Sequence, residues 1–206
     1  MTSPPSAMMH KLQKPKNSPL NQELTNRHRI HIIQGQQHVA DDPDLILTTI
    51  LGSCVSACLR DPFIGVGGMN HFLLPGDASC SEPTHPGFSA LRYGVHAMEL
   101  LVNDLLKRGA QRSRLEAKLF GGARMMKGLT DIGELNASFA EQFLHDERIV
   151  LVGGSLRGTQ GRRVQFWPVS GRARQIMLST DSDDVFRKEI RPASLALSAP
   201  GEVDLF

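Results

Sequence analysis

Thr48-Thr49-Ile50-Leu51-Gly52-Ser53-Cys54-Val55-Ser56-Ala57-Cys58-Leu59 is the stretch that decides the fold. Residues 45–50 read as a strand entering a Gly52-Ser53 turn. Beyond the turn, Val55, Ala57 and Leu59 alternate with Ser56, Cys58 and Arg60, the period of two of a strand with one buried face. Asp61-Pro62 ends that strand. Residues 65–74 read as a further strand whose glycines let other backbone approach closely. Upstream, Arg29-Ile30-His31-Ile32-Ile33 reads as a short strand ended by Gly35. Residues 36–44 are polar, with a turn at Asp41-Asp42-Pro43-Asp44.

The clearest helix spans 89–108. Leu91, Val95, Met98, Val102 and Leu105 recur every three or four residues, and Leu101 and Leu106 widen the stripe. Lys107 and Arg108 suit its C-terminal dipole, and Gly109 stops it. Leu115, Ala117 and Leu119 alternate with Glu116 and Lys118 in a strand leading to Gly121-Gly122-Ala123. A second helix is expected after Asn136, carrying Phe139, Phe143 and Leu144 inward. Residues 149–152 read as a short buried strand ending at Gly153-Gly154. Residues 164–167 and 173–178 read as a hairpin through Ser170-Gly171. Strands outnumber helices and few are joined by helices. The expected fold class is α+β, with mixed, largely antiparallel β-sheets packed with helices in a layered α/β sandwich.

Bulk properties narrow the class. Of 206 residues, 40% are hydrophobic and 21% charged, which suits one packed domain. Aromatics are 5%, so Val, Leu, Ile and Met must fill the core. A formal charge of +2 is too small to argue for nucleic acid. Three cysteines do not make a disulfide scaffold, and a reducing cytoplasm is the expected setting. No apolar run approaches the ~20 residues that cross a bilayer, so no direct membrane insertion is expected. No secretory signal is read at the N-terminus. Residues 1–26 are rich in Pro, Ser, Gln, Asn and Lys and read as a disordered arm. Residues 27–191 form a single expected domain, and 192–206 a flexible tail.

Several motifs fail. Gly121-Gly122-Ala123-Arg124-Met125-Met126-Lys127-Gly128 lacks the Gly-Lys-Ser/Thr order of a phosphate loop. Gly65-Val66-Gly67-Gly68-Met69-Asn70 ends in Asn where a dinucleotide fingerprint wants Gly or Ala. Cys54-x3-Cys58-x12-His71 imitates half a zinc finger. On a strand, however, Cys54 and Cys58 lie roughly 13 Å apart, too far for one zinc. No metal and no cofactor are expected, although Cys80 and His85 leave metal binding open. Cys54 with His71 remains: a thiol after a turn and a histidine on the next strand are the parts of a thiolate–imidazole pair. The blander reading, a buried cysteine and a structurally satisfied histidine, is the commoner one on spacing alone.

The whole segment closely resembles the chemoreceptor glutamine deamidase family, CheD. The resemblance is carried by Thr48-x5-Cys54-x16-His71, set in Thr-x-x-Leu-Gly-Ser-Cys-Val and Gly-Met-Asn-His-Phe-Leu-Leu-Pro. It continues through Tyr93-Gly94, Ala117-Lys118-Leu119-Phe120-Gly121-Gly122-Ala123, Ile132-Gly133-x-x-Asn136, Gly153-Gly154 and Gly161-Arg162-Arg163-Val164. It departs at Leu135, where the family tends to arginine, and at Leu151, where it tends to aspartate.

The resemblance implies hydrolysis of selected glutamine side chains on methyl-accepting chemotaxis receptors. It implies a nucleophile at Cys54, a general acid/base at His71, and Thr48 orienting His71. An adjacent imidazolium could lower a thiol from pKa ~8.5 to ~6, a shift of roughly 3.4 kcal/mol. Backbone N–H groups at the Gly52-Ser53 turn, including that of Cys54, would face the developing oxyanion. Arg124, Arg162 and Arg163 could meet acidic receptor faces, the alternative being a solvated surface. The receptor's cytoplasmic helical bundle is the implied partner, with a CheC-type phosphatase as a second. Two other readings stay open: a non-catalytic chemotaxis adaptor that binds such a phosphatase, and a cysteine hydrolase acting on another amide.

Overall fold

Strand pairing follows the alternation at the turn. In a computed structural model, residues 28–74, 86–125 and 131–178 are described. The expected arm, the tail, Cys80 and His85 lie outside these residues. Among the described residues there are nine strands: β1 (Arg29–His31), β2 (Gln37–Ala40), β3 (Ile46–Leu51), β4 (Val55–Asp61), β5 (Val66–Asn70), β6 (Glu116–Gly121), β7 (Val150–Leu156), β8 (Arg162–Phe166) and β9 (Ala173–Met177). Two α-helices accompany them, α1 (Pro86–Lys107) and α2 (Ile132–Asp146).

The strands form two sheets, ordered β1-β3-β8-β9 and β2-β5-β4-β6-β7. The β1–β3 and β6–β7 pairs are parallel and the others antiparallel. This is the α+β sandwich of mixed sheets that the sequence leads one to expect. One core lies between the sheets, where Leu47 and Leu51 of β3 and Val164 and Phe166 of β8 meet Cys58, Met69 and Phe120. A second lies between the five-stranded sheet and the helices. There Val55, Ala57, Leu59, Ala117 and Leu119 meet Met98, Leu101, Leu105, Ala140 and Leu144. The five-stranded sheet is therefore covered on both faces, which suits the near-continuous burial of β4 and β5. Among the described residues, no helix is long and apolar enough to cross a membrane.

Four sequence expectations need correction. Residues 37–40 form strand β2 despite their polarity, because an edge position beside β5 supplies the hydrogen bonds. In α1, Leu91 and Val95 are 52% and 44% exposed, whereas Met98, Leu101, Val102 and Leu105 are buried. The helix approaches the core through Gly94, where a Cβ would meet Leu74 and Phe139 at 2.6–2.7 Å. Helix α2 begins before Asn136: Asp131 caps it by accepting from Glu134 N–H. Strand β7 runs through Gly153-Gly154 and is largely exposed, with Val150 at 61%, because it is the sheet's edge.

Candidate active site

Cys54 is the last residue before β4, in the turn from β3. His71 immediately follows β5. Antiparallel register brings them to one face. Cys58 opposes Met69, and an isolated bridge pairs Val55 with Phe72, so the same register extends to the turn. Cys54 then stands opposite residue 73, and His71 opposite Ser56. Alternation puts Cys54 and His71 on the face that also carries Cys58 and Met69, toward the other sheet. They are diagonal neighbours, a relation with backbones roughly 7–8 Å apart that longer side chains can bridge.

The turn is tied down by its carbonyls. Gly52 O accepts from Ala123 N at 2.8 Å and Cys54 O from Gly122 N at 2.7 Å. Ser53 O accepts from Asn136 Nδ2 at 3.2 Å. In a trans peptide the N–H points opposite to its carbonyl. The N–H groups of Ser53 and Cys54 therefore face away from these partners. Among the described residues neither donates to a backbone carbonyl. Backbone donors beside a thiol can stabilise a developing oxyanion. The close approach demands glycine at 121: φ is +108°, and a Cβ would lie 2.1 Å from Cys54 O.

Asn136 is the unforeseen organiser of this turn. It is fully buried in α2. Besides Ser53 O, its Nδ2 donates to Ile132 O at 2.7 Å, and its Oδ1 accepts from Leu74 N at 2.7 Å. One carboxamide thus joins the nucleophile turn, the segment after His71 and the helix. An asparagine among apolar residues at helical spacing was the available signal, because buried polar groups need partners.

Thr49, not Thr48, adjoins His71. The Thr49 Oγ1 lies 2.9 Å from His71 Nδ1 and donates to Ile32 O at 2.7 Å. Ile32 O is itself 3.3 Å from Nδ1. With its proton committed to Ile32, the threonine oxygen is an acceptor. Nδ1 therefore carries the hydrogen, which leaves Nε2 as the basic nitrogen. Thr48 Oγ1 donates instead to Val164 O at 2.9 Å. The reason is strand alternation. Thr49 shares its face with Leu47 and Leu51 in the intersheet core, and Thr48 faces the other way.

The thiol also differs from expectation. Burial pushes Cys54 up to about 11, and its own backbone N–H offsets this only in part. Desolvation disfavours the thiolate more than its surroundings favour it, so the resting sulfur is protonated near neutrality. Alkylation by iodoacetamide should therefore accelerate about tenfold per pH unit from pH 7 to 10, as the thiolate fraction grows. Mass spectrometry in a Cys80→Ser background reads this out, because Cys58 is buried and shifted up to about 12. A rate already level at pH 7 would mean a preformed ion pair.

The arginines separate. Arg124 and Arg163 are exposed, and Arg124 lies 3.6 Å from Asp131. Arg162 is only 1% exposed. It shares the inward face of β8 with Val164 and Phe166, and its guanidinium donates to Ser155 O and Oγ and to Arg157 O. It cannot meet a substrate surface, so the expectation for Arg162 is overturned.

Comparison with known proteins gives a consistent picture. Residues 73–176 match a family model described as CheD chemotactic sensory transduction. That range begins downstream of Cys54 and His71. A protein of Acidiphilium cryptum named "Probable chemoreceptor glutamine deamidase CheD" is 61% identical over 181 residues, covering 86% of this chain and 93% of that protein. Proteins of the same name from Caulobacter vibrioides and Rhizobium leguminosarum bv. trifolii are 52% and 55% identical. Both alignments cover 86% of this chain, with 93% and 96% of the relatives' lengths.

Proposed function

The chain belongs to the CheD family, and from that premise we propose that it hydrolyses glutamine side-chain amides on methyl-accepting chemotaxis receptors. The products are glutamate and ammonia. The observation that carries this reading is the shared face of Cys54 and His71, with the imidazole held through Nδ1 by Thr49. The name of the relatives supplies the substrate class.

The steps follow from those groups. The Cys54 sulfur attacks the amide carbon while its proton passes to Nε2 of His71. Carbonyl electrons move to oxygen, where the Ser53 and Cys54 N–H groups donate. Amide ion is a poor leaving group, so the imidazolium returns its proton to nitrogen as the C–N bond breaks. Ammonia leaves and a thioester remains. His71 then takes a proton from water, hydroxide adds to the thioester, and the C–S bond breaks. The departing sulfur regains the proton and glutamate is released. Because burial holds the thiol well above neutrality, up to about 11, a free thiolate is disfavoured at pH 7. Proton transfer coupled to attack avoids accumulating that species.

A receptor glutamine is presented on a helical surface in the cytoplasm, where this enzyme would act. The exposed Arg124, next to the Ala123 that bonds Gly52 O, would border the site and meet acidic receptor side chains, whereas Arg163 pairs with Ile50 on the face that carries Thr48, away from His71. The test is incubation with a purified receptor cytoplasmic fragment, followed by peptide mass spectrometry and an ammonia assay. A Gln-to-Glu mass change with matching ammonia is expected. Ammonia release without a receptor mass change would point to another amide, and neither signal would end the proposal.

The orienting contact has its own test. Thr49→Val should lower kcat roughly 10- to 100-fold, from about 1–3 kcal/mol of unmade buried hydrogen bonding. Thr48→Val should leave kcat within about threefold, since it removes only one hydrogen bond, worth ~0.5–1.5 kcal/mol, on the far face. The reverse ranking would return the orienting role to Thr48.

A further inference from the structure

The polar side chain in contact with the Cys54 sulfur, among the described residues, is that of Gln34. Its Oε1 lies 3.8 Å from Sγ, with the thiol as donor. Gln34 occupies the second position of the turn Ile33-Gln34-Gly35-Gln36. Gln36 N–H donates to Ile33 O at 3.0 Å, and Gly35 has φ +84°. A positive φ at the third position is the type II arrangement, which glycine accommodates. The turn is bolted to the backbone of His71: Gly35 N–H donates to His71 O at 2.8 Å, and His71 N–H to Gln36 O at 3.0 Å. The Gln34 backbone is thus held against the candidate base while its exposed side chain reaches the nucleophile.

The chemistry of a carboxamide fits the change in charge at this point. In the resting state a neutral S–H meets the carbonyl end. Once the thiol proton has left, negative charge appears on sulfur and then on the substrate oxygen, and a carbonyl end there becomes unfavourable. The terminal torsion of glutamine is broad and roughly two-fold. A half turn exchanges Oε1 for the Nε2 hydrogens without moving the backbone. The new contact is stronger in the transition state than in the ground state, which is the condition for raising kcat.

We propose that Gln34 is a catalytic residue whose side-chain N–H donates to the oxyanion formed when Cys54 adds to a substrate amide, beside the Ser53 and Cys54 N–H groups. This rests on the deamidase reading above. It also assigns a role to residues 33–36, which sequence reading leaves as the end of a strand and the start of a polar loop.

Steady-state deamidation of the receptor fragment by wild type, Gln34→Ala and Gln34→Glu tests it, with melting temperature, Cys54 alkylation rate and intact mass measured on each. Gln34→Ala should lower kcat about 10- to 100-fold, toward the low end for an oxyanion donor because the side chain is exposed. KM should stay within about threefold and melting temperature should be unchanged, while Cys54 alkylation should be no slower once the contacting side chain is gone. Gln34→Glu should fall further, because a carboxylate cannot donate and opposes the new charge. An active wild type with an equally or more active Gln34→Ala would overturn this proposal alone, since the side chain would then merely cover the thiol. Conversion of Gln34 to glutamate in the resting wild type would also overturn it, by making Gln34 a substrate. An inactive wild type would remove the deamidase reading, and this inference with it.

Discussion

Cys54→Ala should abolish ammonia release from receptor fragments, with a loss on the order of 10⁴- to 10⁶-fold in kcat, as when a covalent nucleophile is removed. The loss is large because nothing nearby can replace sulfur. Cys58 is buried in the intersheet core and lies four residues along the strand. Ser53 has no base assigned to it. The fold should tolerate the change. Cys54 is only half-buried and packs at the margin of the intersheet core, so a destabilisation of about 1 kcal/mol or less is expected. Melting temperature and receptor binding by the variant provide the control. Unaltered ammonia release from folded Cys54→Ala would remove the thiol mechanism.

His71→Gln should follow closely, with kcat down about 10³-fold, within the range for loss of a positioned acid/base. One imidazole serves both halves of the reaction, delivering a proton to the leaving nitrogen and then activating water. The effect should therefore persist at any substrate concentration. Glutamine keeps a donor near Thr49 and Ile32, which limits structural damage at a position only 6% exposed. The Cys54→Ala/His71→Gln double variant should be no worse than Cys54→Ala alone, because the two groups act as one unit. Additive losses, or a His71→Gln variant with a wild-type pH profile, would contradict the pairing.

Part of the candidate site was readable in the chain, although the pairing of Cys54 with His71 rested on the family resemblance and not on spacing. A Gly-Ser turn between two strands places a thiol at a strand entrance, and Asn70-His71-Phe72 on the next strand supplies the imidazole. Two adjacent strands can meet in only a few registers, and the one adopted puts both side chains on one face. Thr48 and Thr49 were a different matter. They are adjacent and identical, so nothing local distinguishes them. Only docking of β3 against the five-stranded sheet selects which hydroxyl faces inward. Arg162 and Arg163 pose the same problem, and burial of the intersheet face resolves it in the opposite chemical sense to expectation. The contacts of Asn136 and Gln34 were hidden for another reason. Their partners lie 83 and 20 residues away in the chain, and no periodic pattern encodes such contacts.

Composition and hydrophobic period determined the class of fold and the strand–turn–strand frame, and the resemblance of residue order to a known family singled out Cys54 and His71 as the candidate pair. Those properties depend on interactions between near neighbours and on side-chain chemistry, which residue order records directly. Tertiary packing decided which threonine holds the imidazole, which arginine is buried, which face of α1 is covered, and how far desolvation raises the thiol. Each of these depends on what lies opposite a residue in space. That is fixed only when the two sheets and the helices exclude water from the layers between them.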